Sequence, residues 1–168
     1  KMMFLDAKPN PAHYKLAELE AAGKLTAVIT QNIDGLHQAA GSKNVLELHG
    51  SIHRNYCMRC GKKYDAAYVK NSDGIPKCEC GGTIRPDVVL YEEGLDSVII
   101  QKSISAIANA DMLIIGGTSL VVYPAAGFID YFRGKNLVVI NKDTTAREVG
   151  ASLTIHEPIG EVLSKICC

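Results

Sequence analysis

Four of the six cysteines fall within 24 residues, as Cys57-Met-Arg-Cys60 and, after an interval of seventeen, Cys78-Glu-Cys80. No feature restricts the chain more, because four thiolates at this spacing must be brought to one point, and that demands a small lobe folded around them. Two short knuckles of soft sulfur ligands suit tetrahedral zinc, and four protein ligands leave no open position for a reactive water, so a structural metal is expected. Iron suits the same four-sulfur shell, and free thiols or disulfides are the other readings of the pattern. The second knuckle, C-x-C, is tighter than the C-x-x-C of the commoner zinc ribbon; Gly81 and Gly82 directly after it supply the backbone freedom it needs. Charged residues and glycines around the knuckles point to an intracellular metal site rather than a secreted disulfide framework, which places the protein in the cytoplasm. Cys167 and Cys168 read as unpaired terminal thiols.

The metal pattern occupies a bounded stretch. From residue 52 to 89 cysteines, lysines and glycines replace an otherwise regular α/β rhythm, so the chain divides into a main domain of residues 1–51 and 90–168 and an inserted lobe of residues 52–89. In the main domain, Asn10 as N-cap, Pro11 at the first helical position and Gly23 as C-terminal stop bound a helix with Leu16 and Leu19 on its buried stripe. Thr26 to Gln31 is rich in β-branched residues and reads as a buried strand. A short helix over 35–40, a strand over 45–50, a helix from its cap at Asp96 through Ala110 and a buried strand over 112–117 follow. Helices over 124–132, 144–149 and 159–166 alternate with strands over 137–140 and 153–156. Strands alternating with helices make a doubly wound parallel sheet the default.

Composition excludes some function classes. Lys plus Arg equals Asp plus Glu at 18 each, so the chain lacks the overall basic field that nucleic acid or an anionic membrane requires. Its apolar runs are only a few residues long, far short of the roughly 20 that span a bilayer. Lys1-Met-Met-Phe-Leu-Asp has charge beside its short apolar run and does not read as a signal peptide. A monomer is expected, with neither nucleic acid nor membrane as partner.

Ligands of open α/β sheets bind beyond the carboxyl ends of strands. There the first strand ends in Gln31, Asn32, Asp34 and Gly35, and the second in His49. An unperturbed imidazole titrates near pH 6.5, so His49 is the candidate general base. Asn-x-Asp-Gly is also ordinary turn chemistry that caps a following helix. Gly116-Gly-Thr-Ser-Leu120 follows a buried strand as a phosphate or ribose turn does, without the G-x-G-x-x-G fingerprint. His13, alone on its helix, reads as a packing or surface residue.

Thr30-Gln-Asn-Ile-Asp-Gly-Leu-His37, Leu46-Glu-Leu-His-Gly50 and the two cysteine pairs, in that order, resemble the sirtuin family of NAD-dependent protein-lysine deacylases over residues 10–166. The resemblance implies a Rossmann-like doubly wound α/β domain with an inserted zinc-ribbon lobe, NAD and zinc as cofactors, and an acyl-lysine-bearing protein or peptide as substrate. It implies that the acyl oxygen attacks C1′ of the nicotinamide ribose and expels nicotinamide. His49 then deprotonates a ribose hydroxyl, and the products are free lysine and O-acyl-ADP-ribose. Asn32 and Asp34 would hold the nicotinamide ribose and carboxamide, flanked by Gln31 and Ile33. Gly117, Thr118 and Ser119 would contact the adenosine half, Asn141 and Lys142 the adenine ribose, and Ile159 the adenine. Val88, Val89, Leu90 and Tyr91 would pair with the substrate peptide as an added strand.

Two departures bear on these expectations. Tyr91-Glu-Glu93 stands where Phe-Gly-Glu is common in the family, which removes a glycine from the loop and turns Glu92 against acidic peptides. The family's glycine-rich Gly-Ala-Gly-Ile-Ser loop has no counterpart here, so an upstream segment is expected to carry it, together with the acyl-pocket residues and a first strand lying between those at Thr26 and Met112. The acceptor is a further open point, since attack on the same C1′ by a protein side chain would make a mono-ADP-ribosyltransferase. A non-catalytic zinc-binding fragment is the reading from another class.

Overall fold

The computed structural model describes residues 5–118, 121–144 and 148–167. Local chemistry sets the first element. Asn10 Oδ1 accepts from the Ala12 and His13 backbone N–H groups, and Pro11 follows, so helix α1 (Pro11–Ala21) starts where predicted. It ends at Gly23, whose φ of +70° is the left-handed conformation that glycine adopts without penalty. The expected Leu16 and Leu19 stripe is corrected: Ala12 and His13 are the buried pair, while both leucines are half-buried. The small Ala12 lets α1 approach α5 (Ile159–Ser164) closely, against Leu163 and Ile140.

Strands β1 (Val28–Thr30) and β2 (Val45–Glu47) pair in parallel around the short helix α2 (Leu36–Ala39). Strand β6 (Met112–Gly116), β7 (Asn136–Ile140) and β8 (Leu153–Ile155) form a second parallel sheet, order β6-β7-β8. Helix α4 (Ser97–Ala108), capped by Asp96 as expected, joins the two groups of strands through a core of Leu48, Ile107, Ala125 and Phe128 with Ile29, Ile104 and Leu113. α1 and α5 cover the opposite face. Helices on both faces of parallel strands define the expected Rossmann-like α/β fold. The helix expected over 124–132 is a 3₁₀ helix (Ala125–Tyr131) that buries Ala125, Ala126 and Phe128. The helix expected over 144–149 falls partly on residues 145–147, outside those described.

The third sheet is antiparallel, with order β4-β3-β5, and belongs to the cysteine-bearing stretch. β3 (Gly50–Cys57) is its long central strand, flanked by β4 (Lys63–Tyr64) and β5 (Ile84–Val88). Helix α3 (Ala66–Asn71), capped by Asp65, packs Val69 on Cys57, Cys78 and Ile84. Composition had not announced this helix, because its six residues are too few for a periodic pattern.

Candidate active site and metal centre

The four sulfurs of Cys57, Cys60, Cys78 and Cys80 lie within 4.8 Å of one another, with Cys57 to Cys80 at 3.5 Å and Cys60 to Cys78 at 3.6 Å. Zinc with Zn–S bonds of about 2.3 Å holds tetrahedral sulfurs roughly 3.8 Å apart, so the cluster fits zinc closely. Its surroundings act unequally on the thiols: at Cys80 the Gly82 N–H favours the thiolate, but the Cys60, Cys57 and Cys78 sulfurs outweigh it and push that thiol up to about 12, whereas Cys78 is favoured as a thiolate. The Tyr64 hydroxyl donates to Cys78 Sγ at 3.0 Å and is the leading cause pulling that thiol down to about 6. The Arg59 N–H points at Cys57 Sγ. Gly82 is obligatory, since a β-carbon there would come within 2.6 Å of Cys57 Sγ.

β3 leads from this cluster to the strand ends of the main domain. The residue before Gly50, His49, donates from Nδ1–H to the Gln31 carbonyl at 3.0 Å. A carbonyl only accepts, so that bond fixes the proton on Nδ1 and leaves Nε2 as the free acceptor. Gly50, at φ +75°, has no room for a β-carbon against the Asp87 carbonyl. Gln31, at the end of β1, accepts at Oε1 from the Thr118 hydroxyl at 3.1 Å, which ties the β1 terminus to that of β6. Gln31 Nε2 is buried with no partner among the described residues. An orphaned donor at the carboxyl ends of two strands is what a polar ligand is needed to satisfy. Asp34 Oδ1 accepts from the Leu36 N–H and starts α2, so the turn reading of Asn-x-Asp-Gly holds for that oxygen. Asn32 is exposed beside it.

The His13 and His37 rings are in contact, with centroids 4.6 Å apart and planes tilted by 50°. His13 closes the capping box of α1, as a packing residue does. Burial pushes both imidazoles below their usual range; for His37 the neighbouring His13 adds to this, while Asp34 partly offsets it in both.

A cleft of about 410 Å³ opens where β6 and β7 end. It is lined by Gly117, Asn141, Lys142 and Ile159, four of the residues expected at the adenosine half, and by the Asn10 and Pro11 start of α1. Ile159 packs so tightly on Gly116 that a β-carbon there would overlap its Cδ1. A concave floor of glycine backbone beside an apolar side chain fits a ring stacked over a ribose phosphate chain. Thr118 lies at the adjoining β6 end; Ser119 is outside the described residues.

β5 runs on into the segment expected to meet a peptide. Val88 pairs with Gly50, and the Val89 N–H donates to the His49 carbonyl at 3.1 Å. Beyond them Leu90 and Tyr91 are exposed, Tyr91 fully. Glu92 takes φ +69°, the left-handed conformation at the position where glycine is common in the resemblance. The turn is held by Glu93, which binds Arg85 at 2.8 and 2.9 Å and accepts from the Leu90 N–H. The Arg85 guanidinium beside it, with that N–H, lowers the Glu93 carboxyl to about 2.

A parallel α/β sheet with a ligand cleft at its strand ends, a histidine of fixed tautomer and a four-thiolate lobe define a dinucleotide-binding enzyme architecture with a structural metal. The Sir2 family profile matches residues 1–124. The NAD-dependent protein deacetylases of Clostridium acetobutylicum and Clostridium perfringens are 65% and 60% identical over 99% of the chain, which spans 69% of each. Among solved structures, a Sir2 with p53 peptide and NAD+ superposes with a TM-score of 0.88 at 42% identity, over 95% of this chain and 69% of that one. A Sir2 complex with the inhibitor EX-527, 2′-O-acetyl-ADP-ribose and deacetylated p53 peptide gives 0.89 at 43%, over 95% and 70%. The chain belongs to the Sir2 family.

Proposed function

We propose that this protein is an NAD-dependent protein-lysine deacetylase that releases nicotinamide and O-acyl-ADP-ribose, with His49 as general base. NAD supplies the chemistry of an electrophilic C1′ carbon, from which the acyl oxygen displaces nicotinamide. The observation that carries the assignment to His49 is its Nδ1–H bond to the Gln31 carbonyl, which leaves Nε2 to take a ribose hydroxyl proton. Asn32 and Asp34 would hold the nicotinamide ribose and carboxamide, and Gln31 Nε2, without a partner among the described residues, would donate to the same end of the cofactor. Gly117, Thr118, Ser119, Asn141, Lys142 and Ile159 take the adenosine half. The segment Val88 to Tyr91, half-buried at its two valines and exposed at Leu90 and Tyr91, pairs with an acetyl-lysine peptide as an added strand, and Glu92 disfavours acidic neighbours of that lysine. Zinc on Cys57, Cys60, Cys78 and Cys80 holds a lobe of residues 52–89 on a main domain of residues 1–51 and 90–168. The protein works as a monomer in the cytoplasm; among the described residues no helix is long and apolar enough to cross a membrane.

The test is nicotinamide release from NAD with and without an acetyl-lysine peptide, in the parent and in His49→Ala. Release that requires peptide and disappears in the variant is the expected result. Peptide-independent release would favour ADP-ribosyl transfer, and no release with no NAD binding would favour a non-catalytic zinc-binding chain.

A further inference from the structure

The loop of residues 31–34 makes a ladder with the segment that follows His49. Its Gln31 carbonyl accepts from His49 Nδ1–H, its Ile33 carbonyl from the Ile52 N–H at 3.0 Å, and its Asp34 carbonyl from His53 Nε2–H at 2.8 Å. The third bond differs from the others. Where His49 lies ahead of β3 and Ile52 donates through its backbone, His53 reaches over with a side chain from the metal lobe's central strand, and its bond closes the far end of the loop, where Asp34 turns into α2. The imidazole also lies on Gly35, so closely that a β-carbon there would sit 2.8 Å from His53 Cδ2.

The donor is delivered from a fixed base. The His53 N–H is held by the Ser51 hydroxyl at 3.2 Å, next to the register shift between Ser51 and Asn55, and Ser51 is buried. The following residue, Arg54, anchors the strand to Asp87 at 2.9 Å and to Glu47 at 2.6 Å, two residues before His49. His53 itself is exposed and belongs to neither the sulfur cluster nor the cleft.

We infer that His53 is a positioning residue for the cofactor loop: its Nε2–H, bonded to the Asp34 carbonyl, sets the depth at which Asn32 and Asp34 present themselves to the nicotinamide end. The kinetic half of this inference rests on the proposed role of that loop; the structural half does not. Two variants separate the bond from the bulk of the ring. His53→Phe keeps the packing on Gly35 and removes the donor, whereas His53→Gln restores an N–H near the Nε2 position.

The measurement is amide hydrogen exchange across residues 31–38 of the zinc-loaded full chain, with steady-state deacetylation of an acetyl-lysine peptide at varied NAD. His53→Phe is expected to speed exchange in that segment about tenfold, leave zinc content unchanged, and raise KM for NAD about five- to tenfold while kcat stays within about twofold. His53→Gln is expected to return both readouts to within about twofold of the parent. Unchanged exchange in His53→Phe, or a Gln variant as perturbed as Phe, overturns the brace. Faster exchange with an unchanged KM overturns the role given to Asn32 and Asp34 and leaves the brace standing; a parent protein that turns over no NAD overturns the proposed function, with exchange still deciding the brace.

Discussion

The sulfur cluster and the strand-end cleft are built on opposite plans. The cluster is satisfied from within: its four sulfurs sit at metal-ligand spacing, Tyr64 and Arg59 donate to them, and Val69 and Ile84 pack against its buried half, Cys57 and Cys78, while Cys60 and Cys80 face outward. The strand ends are open: a cleft floored by glycine backbone lies beyond β6 and β7, and at the end of β1 Gln31 Nε2 is a buried donor without a partner among the described residues, beside the His49 ring. One region gathers four sulfurs at the spacing a single zinc ion takes. The other is complete only around a large polar ligand. The same chain thus separates groups spent on stability from groups held ready for binding, and β3 is the strand that connects them.

The sharpest test of that division removes the ion. Chelation of zinc, or Cys57→Ala, is expected to melt the lobe, since structural zinc sites contribute on the order of 10 kcal/mol to the folding of small domains. Metal content and circular dichroism would report it, and activity should fall with them because β3 carries His49's neighbours. If the lobe kept its fold without metal, the plan given to the cluster would be wrong.

Next in size, His49→Ala should lower peptide-dependent nicotinamide release or deacetylation by about 10²- to 10⁴-fold. The thermal midpoint should move little, because His49 is only half-buried. A large loss of stability would place His49 on the structural side of the comparison.

Gly116→Ala comes third. Its β-carbon overlaps Ile159 Cδ1, so about 1–3 kcal/mol of stability should be lost together with NAD affinity. Adding Ile159→Ala should recover stability by making room. Affinity should stay low, because the apolar wall is gone; calorimetry of NAD binding beside thermal melts separates the two.

The smallest effect is on pH. Burial lowers the folded pKa of His13 and His37 below the unfolded value near 6.5. The unfolded chain therefore takes up protons first as pH falls. Stability is full above about 6.5, declines below it, and levels off once the folded imidazoles also protonate. Denaturant midpoints at pH 7.5 and 5.5 should differ by more in the parent than in His37→Gln.

What the residues disclose in advance is mostly local or periodic. Asn10, Pro11 and Gly23 mark α1 through capping and φ, Asp96 caps α4, and the cysteine spacing points to the metal lobe. His49 and Gln31 are legible because each directly follows a β-prone run. Lines that depend on distant register are not legible. His53 and Arg54 look like surface residues of an exposed strand, and only pairing across the bulge of β3 brings them to Asp34 and Glu47. The contact of the His13 and His37 rings needs α1 and α2 side by side, which no spacing in the chain expresses. Glu92 sits in a glycine conformation because the Arg85 to Glu93 pair pins the turn around it, a constraint invisible at residue 92 itself.

The bond from His49 to the Gln31 carbonyl has a consequence for genetics. The group that chooses which imidazole nitrogen bears the proton is a peptide oxygen, and every amino acid carries one. Side-chain substitution at residue 31 removes its amide yet leaves that oxygen in place, so a saturation scan would bear on His49 and pass over the atom that selects its tautomer. Only a backbone edit, such as an ester for the amide after Gln31, weakens that carbonyl as an acceptor and brings the dependence into view.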